Sequence, residues 1–333
     1  MRVLFCQVCG APLDAPWHEL TVVCRWCDAK NLPGQGIVVS SSMAYDERPR
    51  LNIGGRTYVL EGLLAQGDST DVYRARWSMR LGELVIVKVL RSLGDADIMR
   101  REFEMLGGLR GTPGPTGVYL ASVLPDPIGM GPVKDETGRE RLAAVYRWRS
   151  GYIHTLDEVG RAHRGGIPGP VVVWIWKRLL EALAFVHDAG VVHGAVIPPH
   201  VLVHPRDHGA ALLGWGTATR ISVEGGDQRI PALSRAWLVF YPEETKSARA
   251  AAQPTDVVMS ARCALAAAGG DTDWKAPSAL PSNLGALLSE TARGAGPQGA
   301  PAALERLKEA SNRDFGPPAY HPLPMPGWQR LSQ

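Results

Sequence analysis

Four cysteines near the start of the chain constrain it most. Cys6-Gln-Val-Cys9 and Cys24-Arg-Trp-Cys27 are two C-x-x-C pairs with fourteen residues between them. Pairs at this separation can present four thiolates tetrahedrally to one zinc ion. Each pair is expected to form a tight knuckle, with Gly10 after the first. His18 to Val23 reads as a short strand leading into the second. A segment of about 35 residues cannot bury enough apolar surface to fold by itself, so bound metal is the expected source of its stability. With all four ligands supplied by protein the site is closed, which makes its role structural rather than catalytic. Two disulfides, or coincidental pairs, are the alternatives; a reducing compartment favours zinc.

The rest of the composition points to such a compartment. No apolar run approaches the roughly 18–20 residues needed to span a bilayer. Val171–Trp176 is interrupted at once by Lys177 and Arg178. The N-terminus lacks the extended apolar core of a signal peptide. The expectation is a soluble cytoplasmic protein with no membrane partner. Hydrophobic content of 45% with 21% charged residues is that of a globular chain, and 333 residues suffice for a large domain plus a small one. A net charge of +3 demands no anionic partner. Arg25, Trp26 and Lys30 offer basic and aromatic groups but no dense patch, which argues against nucleic acid. Cys263, alone in an apolar stretch, reads as a small buried hydrophobe.

The cysteine-bearing segment, residues 1–35, resembles the rubredoxin-type zinc ribbons. Residues 36–55, with Gly, three successive Ser and mixed charges, read as a linker. Three strands are expected at Tyr58–Leu64, Val72–Trp77 and Leu84–Leu90, with a turn-rich stretch, Ala65–Asp71, between the first two. A helix is expected at Asp97–Leu109, where Ile98, Phe103 and Leu106 recur at helical spacing. This order, with Lys88 late in the third strand and an acid in the following helix, resembles the small lobe of the protein kinases. The resemblance makes 56–146 a small lobe and 147–314 a large one, an α+β two-lobed fold after the ribbon. It puts Ala65, Gly67 and Thr70 at the three glycine positions of the phosphate-covering loop, and Val72 against the adenine. Lys88 falls at the α/β-phosphate contact and Glu102 at its ion-pair partner. Only Gly67 keeps the glycine. In a chain where 7 of 36 basic residues are Lys, Lys88 is either a nucleotide contact or a clamp to Glu102.

The second half carries more of the resemblance. Leu142–Trp148 looks like the strand entering the hinge, His154–His163 like a short helix, and Val171–Ala189 like the long helix before the catalytic loop. Val191-Val-His-Gly-Ala-Val-Ile-Pro-Pro-His-Val-Leu-Val203 then resembles His-Arg-Asp-Leu-Lys-Pro-x-Asn with its following strand. His193 and Pro198 match. Gly194 replaces the Arg, Ala195 the catalytic Asp, Ile197 the Lys, and His200 the metal-binding Asn. Gly214-Trp215-Gly216 stands where Asp-Phe-Gly belongs, so the second metal ligand is lost too. Tyr241-Pro-Glu243 resembles Ala-Pro-Glu, with Arg293 as a candidate partner for Glu243. Asp256 resembles the acid that holds the catalytic loop backbone.

Phosphoryl transfer relies on metal ions bridging the phosphates and on a carboxylate orienting the acceptor. Alanine, isoleucine and glycine supply neither, so the resemblance implies a pseudokinase: a regulatory or scaffolding protein that binds one or more proteins. The alternative is a divergent serine/threonine kinase or nucleotide-binding enzyme using non-standard groups, with Asp207, His200 and His204 as candidates. A vestigial ATP site at Gly67, Val72, Lys88 and Glu102, without magnesium, stands beside an empty cleft. The Pro-rich tail, 315–333, is a polyproline-II ligand for a partner or packs on its own chain; the second is preferred.

Overall fold

Period-two patterning builds one part of the chain and helical patterning the other, as a computed structural model describes them. It covers residues 44–67, 69–79, 82–135, 138–221 and 228–325, with four two-residue strands inside the first 43. The protein is α+β with a mainly antiparallel principal sheet. It divides into two units, Met1–Ala96 with Ile128–Trp148, and Asp97–Pro127 with Arg149–Gln333.

In the first unit, β1 (Leu4–Phe5) pairs with β2 (Pro12–Leu13), and β3 (Val22–Val23) with β4 (Lys30–Asn31), both antiparallel. The large sheet contains β5 (Arg50–Ile53), β6 (Arg56–Gln66), β7 (Thr70–Trp77), β8 (Leu84–Leu90), β9 (Pro127–Lys134) and β10 (Glu140–Arg147). Their order is β5-β6-β7-β8-β10-β9. Arg50–Ile53, within the segment expected to be a linker, is therefore a strand. Its two apolar residues, Leu51 and Ile53, have the period-two spacing, but four residues are too few to announce it. Strand β9 and the helix before it were likewise missed.

One face of this sheet makes the core. Leu51, Ile53, Tyr58, Leu60, Tyr73, Ala75, Val87, Val133 and Val145 pack in one cluster. Leu51 on one edge strand and Val133 on the other share it, so the sheet is curled. Register shifts in β6, between Leu60 and Gly62 and between Leu63 and Ala65, supply bending of the kind β-bulges produce. Burying a side chain such as Leu60 or Val87 contributes about 1.5–3 kcal/mol.

The second unit starts with α1 (Ala96–Arg110) and α2 (Gly114–Val123). After β11 (His154–Thr155), α3 (Leu156–Ala162) opens with a capping box, Thr155 and Glu158 bonding reciprocally. Helix α4 (Gly169–Asp188) follows, then β12 (Val191–Val192), β13 (Val201–His204), β14 (Gly209–Leu212) and β15 (Thr219–Arg220). Strands β11, β13 and β14 form one small sheet, β12 and β15 another. Helices α5 (Glu243–Ala248), α6 (Gln253–Ala267), α7 (Ser282–Ala292) and α8 (Ala300–Phe315) complete it. Helix α6 is apolar almost all round and buried, from Thr255 to Leu265 without a break, as a central helix must be. The buried Trp176 indole of α4 donates to Ser260 Oγ of α6 at 3.0 Å, so this polar edge is satisfied inside the core. Among the described residues no helix is long and apolar enough to cross a membrane.

Candidate functional site

The segment after α4 is held by a single carboxylate. Asp256, one turn into α6, is fully buried. Its Oδ2 accepts the backbone N–H of His193 at 2.8 Å and the Nε2–H of His187 at 2.9 Å; its Oδ1 accepts the N–H of Gly194 at 2.8 Å. Hydrogen bonds to a charged acceptor are the strong ones, so loop 193–197 is tied to the central helix rather than merely resting on it.

The loop's own side chains close inward. His193 is buried, and burial holds its imidazole below the ordinary histidine range. Its Nε2–H donates to Leu213 O at 2.9 Å, which leaves Nδ1 to accept from Ala195 N at 3.2 Å. Trp215 packs edge-on against this ring, 4.6 Å between centroids, and donates its indole N–H to Leu212 O at 2.8 Å. Ala195, Val196 and Ile197 are all buried. Cys263 is buried in α6 as expected; its thiol donates to Val196 O at 3.3 Å, and burial pushes its pKa well up.

Two glycines decide what this loop can hold. Gly194 has φ of 72°, and a Cβ there would come within 3.0 Å of Ile230. A long cation at that position meets both backbone strain and a packed neighbour. Gly214 has φ of 78°, and a Cβ there would lie 2.4 Å from the imidazole of His200. His200 in turn donates Nδ1–H to Ala195 O at 2.9 Å. The imidazole thus occupies the space into which a side chain at position 214 would have to grow. The sequence-predicted positions Ala195, His200 and Gly214 are brought together here; Ile197 lies buried beside them in the same loop. Together they carry no carboxylate.

In the first unit, Val72 and Lys88 are cross-strand neighbours, with Lys88 also opposite Ala144. They share the sheet face away from the core cluster. The Lys88 ammonium lies 5.2 Å from the centre of the Tyr146 ring. The turn between β6 and β7 is closed: Gly67 N donates to Thr70 O at 2.8 Å. Phosphate-cradling loops work by aiming free backbone N–H groups at the anion, and this one is committed. Buried Asp71 clamps the same turn through Arg91, whose Nε and Nη2 donate at 3.0 and 2.7 Å, and through Gln66 at 3.3 Å. Sequence reading missed this clamp; an acid and an Arg twenty residues apart carry no local signal. Glu102 is buried in α1 of the second unit.

The remaining candidates resolve individually. His204 pairs with Asp207, Nε2 to Oδ2 at 3.3 Å, within the turn between β13 and β14, while Asp207 stays largely exposed. Glu243 pairs with Lys246 at 2.6 Å, not with Arg293, because the lysine sits three residues on in the same helix. The cation that ties this region is Arg262, which donates to Ala292 O at 2.8 Å and Val239 O at 3.3 Å and lies 4.8 Å from the Trp274 ring. Cys6, Cys9, Cys24 and Cys27 lie outside the described residues. The strand pairs β1–β2 and β3–β4 nevertheless bracket one C-x-x-C each. No protein-family model matches the chain.

Proposed function

We propose that the chain is a catalytically silent, protein-kinase-like scaffold that binds another protein in the cytoplasm, with a structural zinc ribbon at its N-terminus. One observation carries the reading: a loop tied down by Asp256 in which Ala195 and Gly214 supply no carboxylate and His200 fills the space before Gly214. The backbone support of a catalytic loop is kept while the groups that would hold metal and orient an acceptor are gone. The committed N–H of Gly67 supports a β6–β7 turn that does not cradle a nucleotide phosphate. For the ribbon, the support is the C-x-x-C spacing, with each pair falling between two paired strands, an arrangement compatible with two zinc knuckles.

The test is ATP turnover and protein phosphorylation with Mg²⁺ or Mn²⁺. No transfer above background is expected; transfer abolished by Lys88→Ala would overturn the reading. Metal analysis of the purified chain should give one zinc per molecule, lost in Cys24→Ser.

A further inference from the structure

The tail after α8 is not a free end. Residues 316–325 lie outside any helix or strand, yet Leu323 and Met325 are buried. Prolines at 317, 318, 322 and 324 fix their own φ and push each preceding residue toward extended geometry, so the segment is pre-organised for polyproline II. His208, in the turn between β13 and β14, stacks parallel to Trp174 of α4 and to Tyr320 of the tail, 4.6 Å from each. Two imidazoles read the tail's main chain: His208 Nε2–H donates to His321 O and His163 Nε2–H to Pro324 O, both at 2.8 Å. Those carbonyls are three residues apart, which is one polyproline-II turn, so they repeat on one side of the strand.

We infer that the groove of Trp174, His163 and His208 is a recognition site for a proline-rich segment of a partner protein, occupied in this chain by its own tail. The groove reads two carbonyls one turn apart, which any such segment offers, and a ring that stacks on His208. The tail is a replaceable occupant. Tyr320 remains 61% exposed, and no backbone ladder or ion pair joins the tail to the groove among the described residues. It also leaves a donor unmet, since the indole N–H of Trp174 is buried without a hydrogen-bond partner. A tethered ligand competes at high effective concentration, so an outside segment binds appreciably only when the tail is weakened or the partner contributes further contacts.

The probe is a labelled peptide with the sequence of residues 317–326, added to the full-length chain. Expected affinity for the double variant Tyr320→Ala, Leu323→Ala is at least tenfold above that for the unmodified chain. Adding His208→Asn, which keeps a residue tolerant of the φ of 53° but removes the ring, should return it at least tenfold. His163→Gln on the double variant is the independent second arm and should also weaken binding. With the unmodified chain, saturating peptide should speed hydrogen exchange at its own residues 320–325. Equal binding to all variants, or peptide binding that leaves that exchange unchanged, overturns the proposal. So does concentration-dependent dimerisation abolished by His208→Asn, which would assign the groove to the tail of a second copy. None of these readouts depends on whether the protein transfers phosphate.

Discussion

Replacing Asp256 by Ala removes one acceptor from three buried donors: the N–H groups of His193 and Gly194 and the Nε2–H of His187. Hydrogen bonds to a charged group contribute about 1.5–3 kcal/mol each, and each buried donor left unmet costs about 1–3 kcal/mol. These do not add, because the loop relaxes and water can enter the space. Three buried donors stripped of their acceptor, at about 1–3 kcal/mol each before relaxation, bound the cost, and we take about 4 kcal/mol. At about 1.4 kcal/mol per factor of ten, local opening of the loop becomes about a thousandfold easier. The assay is native-state amide hydrogen exchange at His193 and Gly194, whose protection this carboxylate supplies directly. Asp256→Asn keeps the shape and one acceptor oxygen and should cost about half as much. Exchange at both amides within tenfold of the unmodified chain in Asp256→Ala would refute the argument that this carboxylate holds the loop.

Gly214→Ala should destabilise the second unit by about 2–4 kcal/mol, from left-handed backbone strain plus displacement of the His200 ring. In a denaturation double-mutant cycle, combining it with His200→Ala should recover about 1 kcal/mol or more; strict additivity would show the two sites are not coupled. Asp71→Ala leaves the Arg91 guanidinium without its carboxylate and should cost the first unit about 3 kcal/mol by urea denaturation. Burial lowers the pKa of His154, His193 and His208 below 6.5. The unfolded chain therefore takes up protons that the folded chain refuses once pH falls through 6.5. Stability should drop on acidification, by up to about 1.4 kcal/mol per pH unit for the fully buried His193 and by less for the more exposed His154 and His208, and titration calorimetry should find proton uptake on unfolding there.

The long periodic elements were legible in the residues. Strand β8 falls at Leu84–Leu90 as expected, helix α1 spans Ala96–Arg110 against an expected 97–109, and α4 spans Gly169–Asp188 against 171–189. Each has a strong apolar period over seven residues or more, so local pattern and tertiary burial agree. Short or weakly periodic elements were not legible: β5 has four residues, α5 is a six-residue turn whose partners lie elsewhere in the chain, and β9 and α2, though longer, show no clear apolar period.

The site divides along the same line. Sequence by itself determined which chemistry the loop lacks, because Ala195 and Gly214 carry no acid in any conformation. It also carries the four-cysteine spacing on which the proposed zinc site rests, since zinc ligation needs residue types at set intervals. Only the tertiary structure decided what stands over Gly214 and what holds the loop there. The His200 imidazole over Gly214 depends on two backbones meeting across fourteen residues, and the Asp256 bonds depend on α6 passing beneath a loop about sixty residues earlier. The tail's seat on His208 and His163 is of the same kind. Such contacts arise from packing between segments distant in the chain, and local propensity carries no information about them.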